Sequence, residues 1–407
     1  MDEKTTGIYI HIPFCVRKCN YCAFLSSAAD EATKEEYVQA LINEIGRCRF
    51  NFACEAPIST LYFGGGTPTV LSTEQIGRVM GAIRDNFALK EDAEITIEAN
   101  PGTLGKTDDD IKTSLQTYKE LGFNRLSMGV QSLNDDVLKL IGRIHAADDV
   151  VRDYRIAREM GWDNINLDLI LSLPIEKSQE QSLEDLDELI KMGPEHISCY
   201  SLQIEEGTPF GKMYDEGRLN EVSDEDDRET YHKVCEILKA AGYEHYEISN
   251  FARSSYRSRH NSSYWNMSDY IGLGLGASGF VNGVRYRNIA DIKKYIDTFS
   301  EKASGVRAPE SYEEYHRNTQ HDNISEAVFT GLRRIEGISY DEAAGHLDPE
   351  DCDAALSAKE RFWQYYSDVK REAESFVSSG HLVIDDDGIR LSEKGIDISN
   401  SIMALFV

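Results

Sequence analysis

Gly7-Ile8-Tyr9-Ile10-His11-Ile12-Pro13-Phe14-Cys15-Val16-Arg17-Lys18-Cys19-Asn20-Tyr21-Cys22 is a short β-branched run that breaks, at a proline, into a loop holding three of the chain's eight cysteines. The run reads as a first strand. Five comparable runs follow, at residues 60–63, 94–98, 125–130, 165–170 and 196–202. Between them lie amphipathic stretches. Residues 34–50 place Tyr37, Leu41 and Ile45 four apart, and residues 108–121 place Ile111, Leu115 and Tyr118 on one helical face. Gly122, Gly161, Gly193 and Gly242 follow such stretches, where a helix C-terminus favours glycine. Six strands alternating with helices predict an α/β fold with a parallel sheet. The regular units suit a partial (βα)6 barrel of the TIM type, with its site at the C-terminal strand ends. A doubly wound sheet satisfies the same periodicity.

The chain has 407 residues, enough for two or three domains. Beyond about residue 290 the pattern changes. Residues 325–334 and 359–378 read as helices, and residues 381–391 as a hairpin turning at Asp385-Asp386-Asp387-Gly388. The expected division is therefore 1–290 for the barrel and 291–407 for a smaller helical, winged-helix-like module. Forty-three Lys and Arg against 71 Asp and Glu leave a net charge of −28, which argues against a broad nucleic-acid face. Residues 301–407 carry 11 basic and 22 acidic side chains, so this winged helix is not expected to grip DNA. No signal peptide and no apolar run long enough to span a bilayer is seen, and the expected location is the cytoplasm. Disulfides are then not expected. Cys48, Cys54, Cys199, Cys235 and Cys352 are scattered and read as small core residues.

The clustered triplet is different. Cys15, Cys19 and Cys22 form CxxxCxxC, and three thiolates on a short loop can hold three corners of a [4Fe–4S] cluster. One iron then stays open, as a ligand-binding metal requires. A structural zinc site is the alternative. It wants a fourth Cys or His at short spacing, and none follows within 25 residues.

At this point the chain resembles the radical S-adenosylmethionine (SAM) superfamily. There, the open iron chelates the amino and carboxylate groups of SAM, and an electron from the cluster cleaves SAM to a 5′-deoxyadenosyl radical. Further motifs match in order. Tyr62-Phe63-Gly64-Gly65-Gly66-Thr67-Pro68 follows the second run, Glu98-Ala99-Asn100-Pro101 ends the third, and Gln131 ends the fourth. Arg143 sits in Ile141-Gly142-Arg143-Ile144-His145, and Asp168 interrupts the apolar fifth run, a costly place for an unpartnered charge. The resemblance implies SAM contacts from Tyr9, Gly65, Gly66, Thr67, Glu98, Gln131, Arg143 and Asp168.

His11-Ile12-Pro13-Phe14-Cys15, the Gly-rich segment and Tyr243-Glu244-His245-Tyr246-Glu247-Ile248-Ser249-Asn250-Phe251 are together similar to the oxygen-independent coproporphyrinogen oxidase group. The oxidase branch has a further cysteine two residues after the third, and a long N-terminal arm. Here that position is Phe24, and 14 residues precede Cys15, which favours the HemW-type heme chaperone branch. That branch carries HNxxYW, present as His260-Asn261-Ser262-Ser263-Tyr264-Trp265. An imidazole can ligate heme iron and aromatic rings can stack on a porphyrin, so His260, Asn261, Tyr264 and Trp265 are expected heme contacts, with His260 the axial ligand. Three positions depart from the branch: Ala23 replaces Asp, Ser172 replaces Gly before Leu173-Pro174, and Gly276-Ala277-Ser278-Gly279 replaces Gly-Ala-His-Ser. The expected activity is heme binding and transfer to acceptor heme proteins, with cluster, SAM and heme as cofactors. A radical SAM enzyme acting on a tetrapyrrole is the competing expectation. An acidic winged-helix interaction protein is a third, but it leaves the triplet unexplained.

Overall fold

The period-2 alternation of the early strands sets the architecture. In the first strand, β1 (Thr6–Ile12), Ile8, Ile10 and Ile12 are fully buried against helices, while Tyr9 and His11 point the other way. The same division recurs in β2 (Ile58–Gly65), β3 (Leu89–Ala99), β4 (Arg125–Gln131), β5 (Ile165–Leu171) and β6 (His196–Ser201). One face of each strand is aliphatic. The other carries Thr60, Tyr62, Thr96, Glu98, Arg125, Ser127, Asn166, Asp168, His196 and Ser198. The aliphatic faces are covered by amphipathic helices such as Thr73–Asn86, Asp108–Glu120 and Ser178–Met192, and the polar faces line the concave side.

The computed structural model describes residues 5–52, 56–300, 309, 312–347 and 355–407. Among these, β1 to β6 lie in sequential order and pair in parallel. A doubly wound sheet would reverse its order at a switch point; this one does not, so the expected partial barrel holds. β1 and β6 are not paired with each other. β7 (Glu244–Glu247) and β8 (Asn250–Ala252) continue the sheet beyond β6. Beyond β1 the sheet continues through β9 (Tyr270–Leu273), parallel to β1, and then through β10 (Ser278–Val281), β11 (Val284–Arg287) and β12 (Glu314–Arg317). Tyr295 and Phe299 also pack into the barrel's core, so both sheet and core pass the 290 position.

A second core lies between helices Gln320–Gly331, Ala358–Tyr365 and Lys370–Ser378 and a small sheet. That sheet is β13 (Ile338–Ser339), β14 (Leu382–Ile384) and β15 (Gly388–Leu391), in the order β13-β15-β14. The expected hairpin is present. The single helix expected over 359–378 is two, broken after Tyr365 where Tyr366 turns inward and donates its hydroxyl to Phe406 O at 3.1 Å. Cys48 and Cys199 are buried as expected and Cys235 is half-buried. Cys54 and Cys352 lie outside the described residues. No described helix is long and apolar enough to cross a membrane.

The polar interior is knitted through Asn166. Its Nδ2 donates to Ser127 Oγ (2.8 Å) and Asp168 Oδ1 (2.7 Å), and its Oδ1 accepts from Ser198 Oγ (3.0 Å) and His196 Nδ1 (2.6 Å). Removing it strands several buried partners at about 1–3 kcal/mol each, partly relieved by relaxation. Asn166→Ala should lower the unfolding free energy by about 3 kcal/mol in urea titrations.

Candidate cluster and cofactor site

The cysteine loop is closed at its base and pinned at its middle. At the base, Ser27 N donates to Pro13 O and Cys15 N to Ser27 O, at 2.9 and 3.1 Å. At the middle, Asn20 N donates to Ile141 O, Asn20 Nδ2 to Leu140 O, and Phe210 N to Asn20 O, all at 2.8–2.9 Å. The loop therefore cannot swing from the strand ends. Cys15, Cys19 and Cys22 are each partly exposed and face one cavity at the C-terminal edge of the barrel. Thr67 Oγ1 lies 3.6 Å from Cys15 Sγ and Arg143 Nη1 3.6 Å from Cys19 Sγ, so two of the sulfurs meet hydrogen-bond donors. Burial pushes the Cys22 thiol up from its ordinary range. Among the described residues no three His, Cys, Asp or Glu converge on one point as they would around a single metal ion.

The Gly-rich segment forms the next wall. Gly65 has φ +109°, and a Cβ there would meet the His11 ring at 2.6 Å; a Cβ on Gly66 would meet Phe14 O at 2.6 Å. Only glycine fits this approach of β2 to β1. Gly65 N donates to Glu98 Oε2 at 3.1 Å and Tyr62 Oη to Glu98 Oε1 at 2.7 Å, so the carboxylate holds the turn. Burial pushes the Glu98 carboxyl up to about 7 against those two hydrogen bonds, and burial also raises Asp168 despite its bond from Asn166.

Arg143 ties the far wall together. Its guanidinium donates to Asn100 Oδ1 at 2.6 Å and to Gly129 O, while its buried Nε has no partner. Asn100 Nδ2 reaches Thr67 Oγ1 at 2.7 Å and so links the third and second strand ends. Gln131 adopts φ +71°, a strained conformation of the kind found at ligand sites. Seven of the eight expected SAM residues (Gly65, Gly66, Thr67, Glu98, Gln131, Arg143 and Asp168) line the same cavity as the three cysteines. Tyr9 lies beneath it, bonded to His11 Nδ1 at 3.0 Å and stacked on Tyr62. The donor set fits both groups: soft thiols for a cluster, a glycine cradle and an unpartnered guanidinium nitrogen for an anionic ligand, and carboxylates for amino or hydroxyl groups.

Asn100 and Arg125 were missed in the sequence. Asn100 could have been noticed as the polar residue before Pro101 at a strand end. Arg125 is 1% exposed inside the barrel, with an unpartnered Nε, and its charge favours ionised Glu98 and Asp168. Nothing in the sequence separates it from a surface arginine at a strand start. Ser172 sits at φ +56°, a backbone conformation that favours glycine, and its hydroxyl donates to Asp227.

The HNxxYW segment lies away from this cavity. It forms the helix Arg259–Trp265 at the opposite end of the barrel. His260 is 1% exposed. Its Nδ1 pairs with Thr60 Oγ1 and its Nε2 with Tyr264 Oη, both at 2.8 Å, and its ring stacks on Tyr62. Glu94 accepts from the backbone N of both Arg259 and His260 at 3.0 Å. Burial pushes the imidazole down to about 3. Both ring nitrogens are thus hydrogen-bonded within the barrel floor in this structure. Trp265 packs under the Arg333 guanidinium, 4.5 Å from the ring centroid, and Asn266 Oδ1 accepts from Arg334 at 2.6 Å. The segment plugs the barrel floor and fastens the C-terminal module to it. Asn261 is partly exposed on the same helix.

Residues 9–186 match the model of the radical SAM superfamily. The heme chaperone HemW of Bacillus subtilis is 38% identical over 81% of this chain and 84% of its own. That of Lactococcus lactis is 31% identical over 100% of this chain and 98% of its own. Among solved structures, the Escherichia coli coproporphyrinogen III oxidase HemN superposes with a TM-score of 0.79 over 99% of this chain and 90% of that one, at 24% identity, which is a likeness of fold.

Two outcomes are expected. His260→Ala should cost about 3 kcal/mol of stability in chemical denaturation, through two lost hydrogen bonds and a cavity beside Tyr62. The raised Glu98 carboxyl means the folded chain holds a proton that the unfolded chain releases. That stabilising contribution is complete below about pH 4.5 and is lost as pH rises through about 7. The stability of the wild type relative to Glu98→Gln should therefore fall across this window in denaturation curves of the cluster-free chain.

Proposed function

The chain belongs to the family of the HemW heme chaperones within the radical SAM superfamily, and from that premise we propose that it binds heme and passes it to acceptor heme proteins. The observation that supports this best is the extent of the match, whose relatives, named for heme chaperoning, align along the whole chain, C-terminal module included. Cys15, Cys19 and Cys22 would hold a [4Fe–4S] cluster as thiolates, and Gly65, Gly66, Thr67, Glu98, Gln131, Arg143 and Asp168 would bind SAM beside it. When bound, the cluster would supply an electron and an open iron for SAM.

The chain's own groups have separable tasks in this reading. Thr67 and Arg143 donate toward two sulfurs and stabilise their negative charge. Glu98 fixes the glycine turn, and Asn100 locks Arg143 to Thr67. Asp168, braced by Asn166, presents a carboxylate to the cavity. A radical SAM enzyme acting on a tetrapyrrole remains the second reading, favoured by the oxidase-like fold. Against it stands Phe24, 70% exposed at the place where the oxidase pattern has a cysteine.

The test is anaerobic reconstitution of the whole chain, followed by heme titration and a coproporphyrinogen decarboxylation assay side by side. We expect saturable heme binding, about four irons per chain lost on combined alanine replacement of Cys15, Cys19 and Cys22, and no decarboxylation. Decarboxylation at catalytic rates, or no heme uptake, overturns the chaperone reading.

A further inference from the structure

Three exposed apolar side chains share one location, at the end of the barrel opposite His260. Val16, Phe24 and Ile144 are 56%, 70% and 53% exposed, and all three line the rim of the cysteine cavity. They come from two segments: Val16 and Phe24 from the cysteine loop, Ile144 from the turn after Gly142 that Asn20 pins to that loop. The rim is thus fixed in place and apolar on both sides of the opening. Clustered exposed apolar groups of this kind mark a binding surface.

Two cations stand at the patch, while the cavity's carboxylates, Glu98 and Asp168, are buried inside it. Arg17 and Lys18 are exposed on the same rim, in a chain whose net charge is −28. Lys18 Nζ donates to Phe24 O at 2.9 Å, which holds the ammonium next to the apolar patch. Neither Arg17 nor Lys18 has a carboxylate partner among the described residues. An apolar rim flanked by unpaired cations suits a flat apolar body with carboxylate arms.

We propose that heme docks across the mouth of the cysteine cavity, its ring on Phe24, Ile144 and Val16 and its propionates toward Arg17 and Lys18. This rests on the heme-chaperone reading and gives it a location. Heme placed there covers the cysteine cavity, so occupancy of the rim and access to the cluster and SAM site exclude one another sterically. An acidic apolar segment of an acceptor protein has matching chemistry and is the alternative occupant.

The test uses the full chain, reconstituted anaerobically and titrated with hemin, with iron content, SAM binding and circular dichroism as controls. Phe24→Asp combined with Ile144→Asp should weaken hemin binding about tenfold or more, through the lost apolar contact and added repulsion of the propionates. Arg17→Glu combined with Lys18→Glu should weaken it as well, and increasingly at low salt. Ile144→Asp alone lies off the cysteine loop and keeps the test open if the loop variants lose the cluster. His260→Gln, where folded, should retain hemin affinity. Rim variants that keep their cluster and bind hemin as tightly as wild type overturn the placement. So does unchanged hemin affinity with lost transfer, which would assign the rim to the acceptor. A wild-type chain that takes up no hemin overturns the chaperone reading itself, ahead of any rim variant.

Discussion

The register of the parallel strands is the constraint on which the rest depends. Ile12 pairs with Gly65, Phe63 with Ile97, Ala99 with Met128, and Gly129 with Asp168. Parallel strands in register end at one edge, so the segments that leave them must meet there. That alone gathers a cysteine loop, a glycine turn, a carboxylate, a left-handed glutamine and an aspartate, from Cys15 to Asp168, around one cavity. A one-residue slip in β3 would turn Glu98 to the aliphatic face and leave Gly65 N without its acceptor.

The same alternation makes the barrel interior polar, and this is expensive unless the groups bond to one another. The interior solves it with linked pairs, and with the buried Arg125 guanidinium near the Glu98 and Asp168 carboxylates. One line runs from Glu98 through Tyr62 to the His260 ring and on to Tyr264. Another runs from Asp168 through Asn166 and His196 to Tyr246, whose hydroxyl accepts from Ser258 N just before the HNxxYW helix. Both lines connect the cavity to the floor plug. The conspicuous histidine of the motif thus acts in this fold as a packed hub, and its aromatic neighbours serve the seam with the C-terminal module.

Much of the fold was legible because it is local. The six strand cores were readable from β-branched runs and from the glycines that end the helices between them, and the structure shifts their ends by only a few residues. The edge strands β7 to β12 were less legible. They are three or four residues long, and short segments gain their conformation from the neighbour they pair with rather than from their own pattern. The break at Tyr366 was invisible for a related reason, since the residue that draws it inward, Phe406, lies 40 positions away.

By itself the sequence determined the six strand segments, the cysteine loop and the residue types at the strand ends, because spacing and periodicity are properties of neighbouring residues. Tertiary structure alone decided which side chains meet. It placed Asn100 between Thr67 and Arg143, set Arg125 inside the barrel, and left Val16, Phe24 and Ile144 at the mouth. It also buried His260, a residue whose chemistry in isolation suits a metal ligand. Burial and hydrogen-bond partnership depend on chain segments 200 residues apart, as His260 and Thr60 are, and no local pattern encodes them.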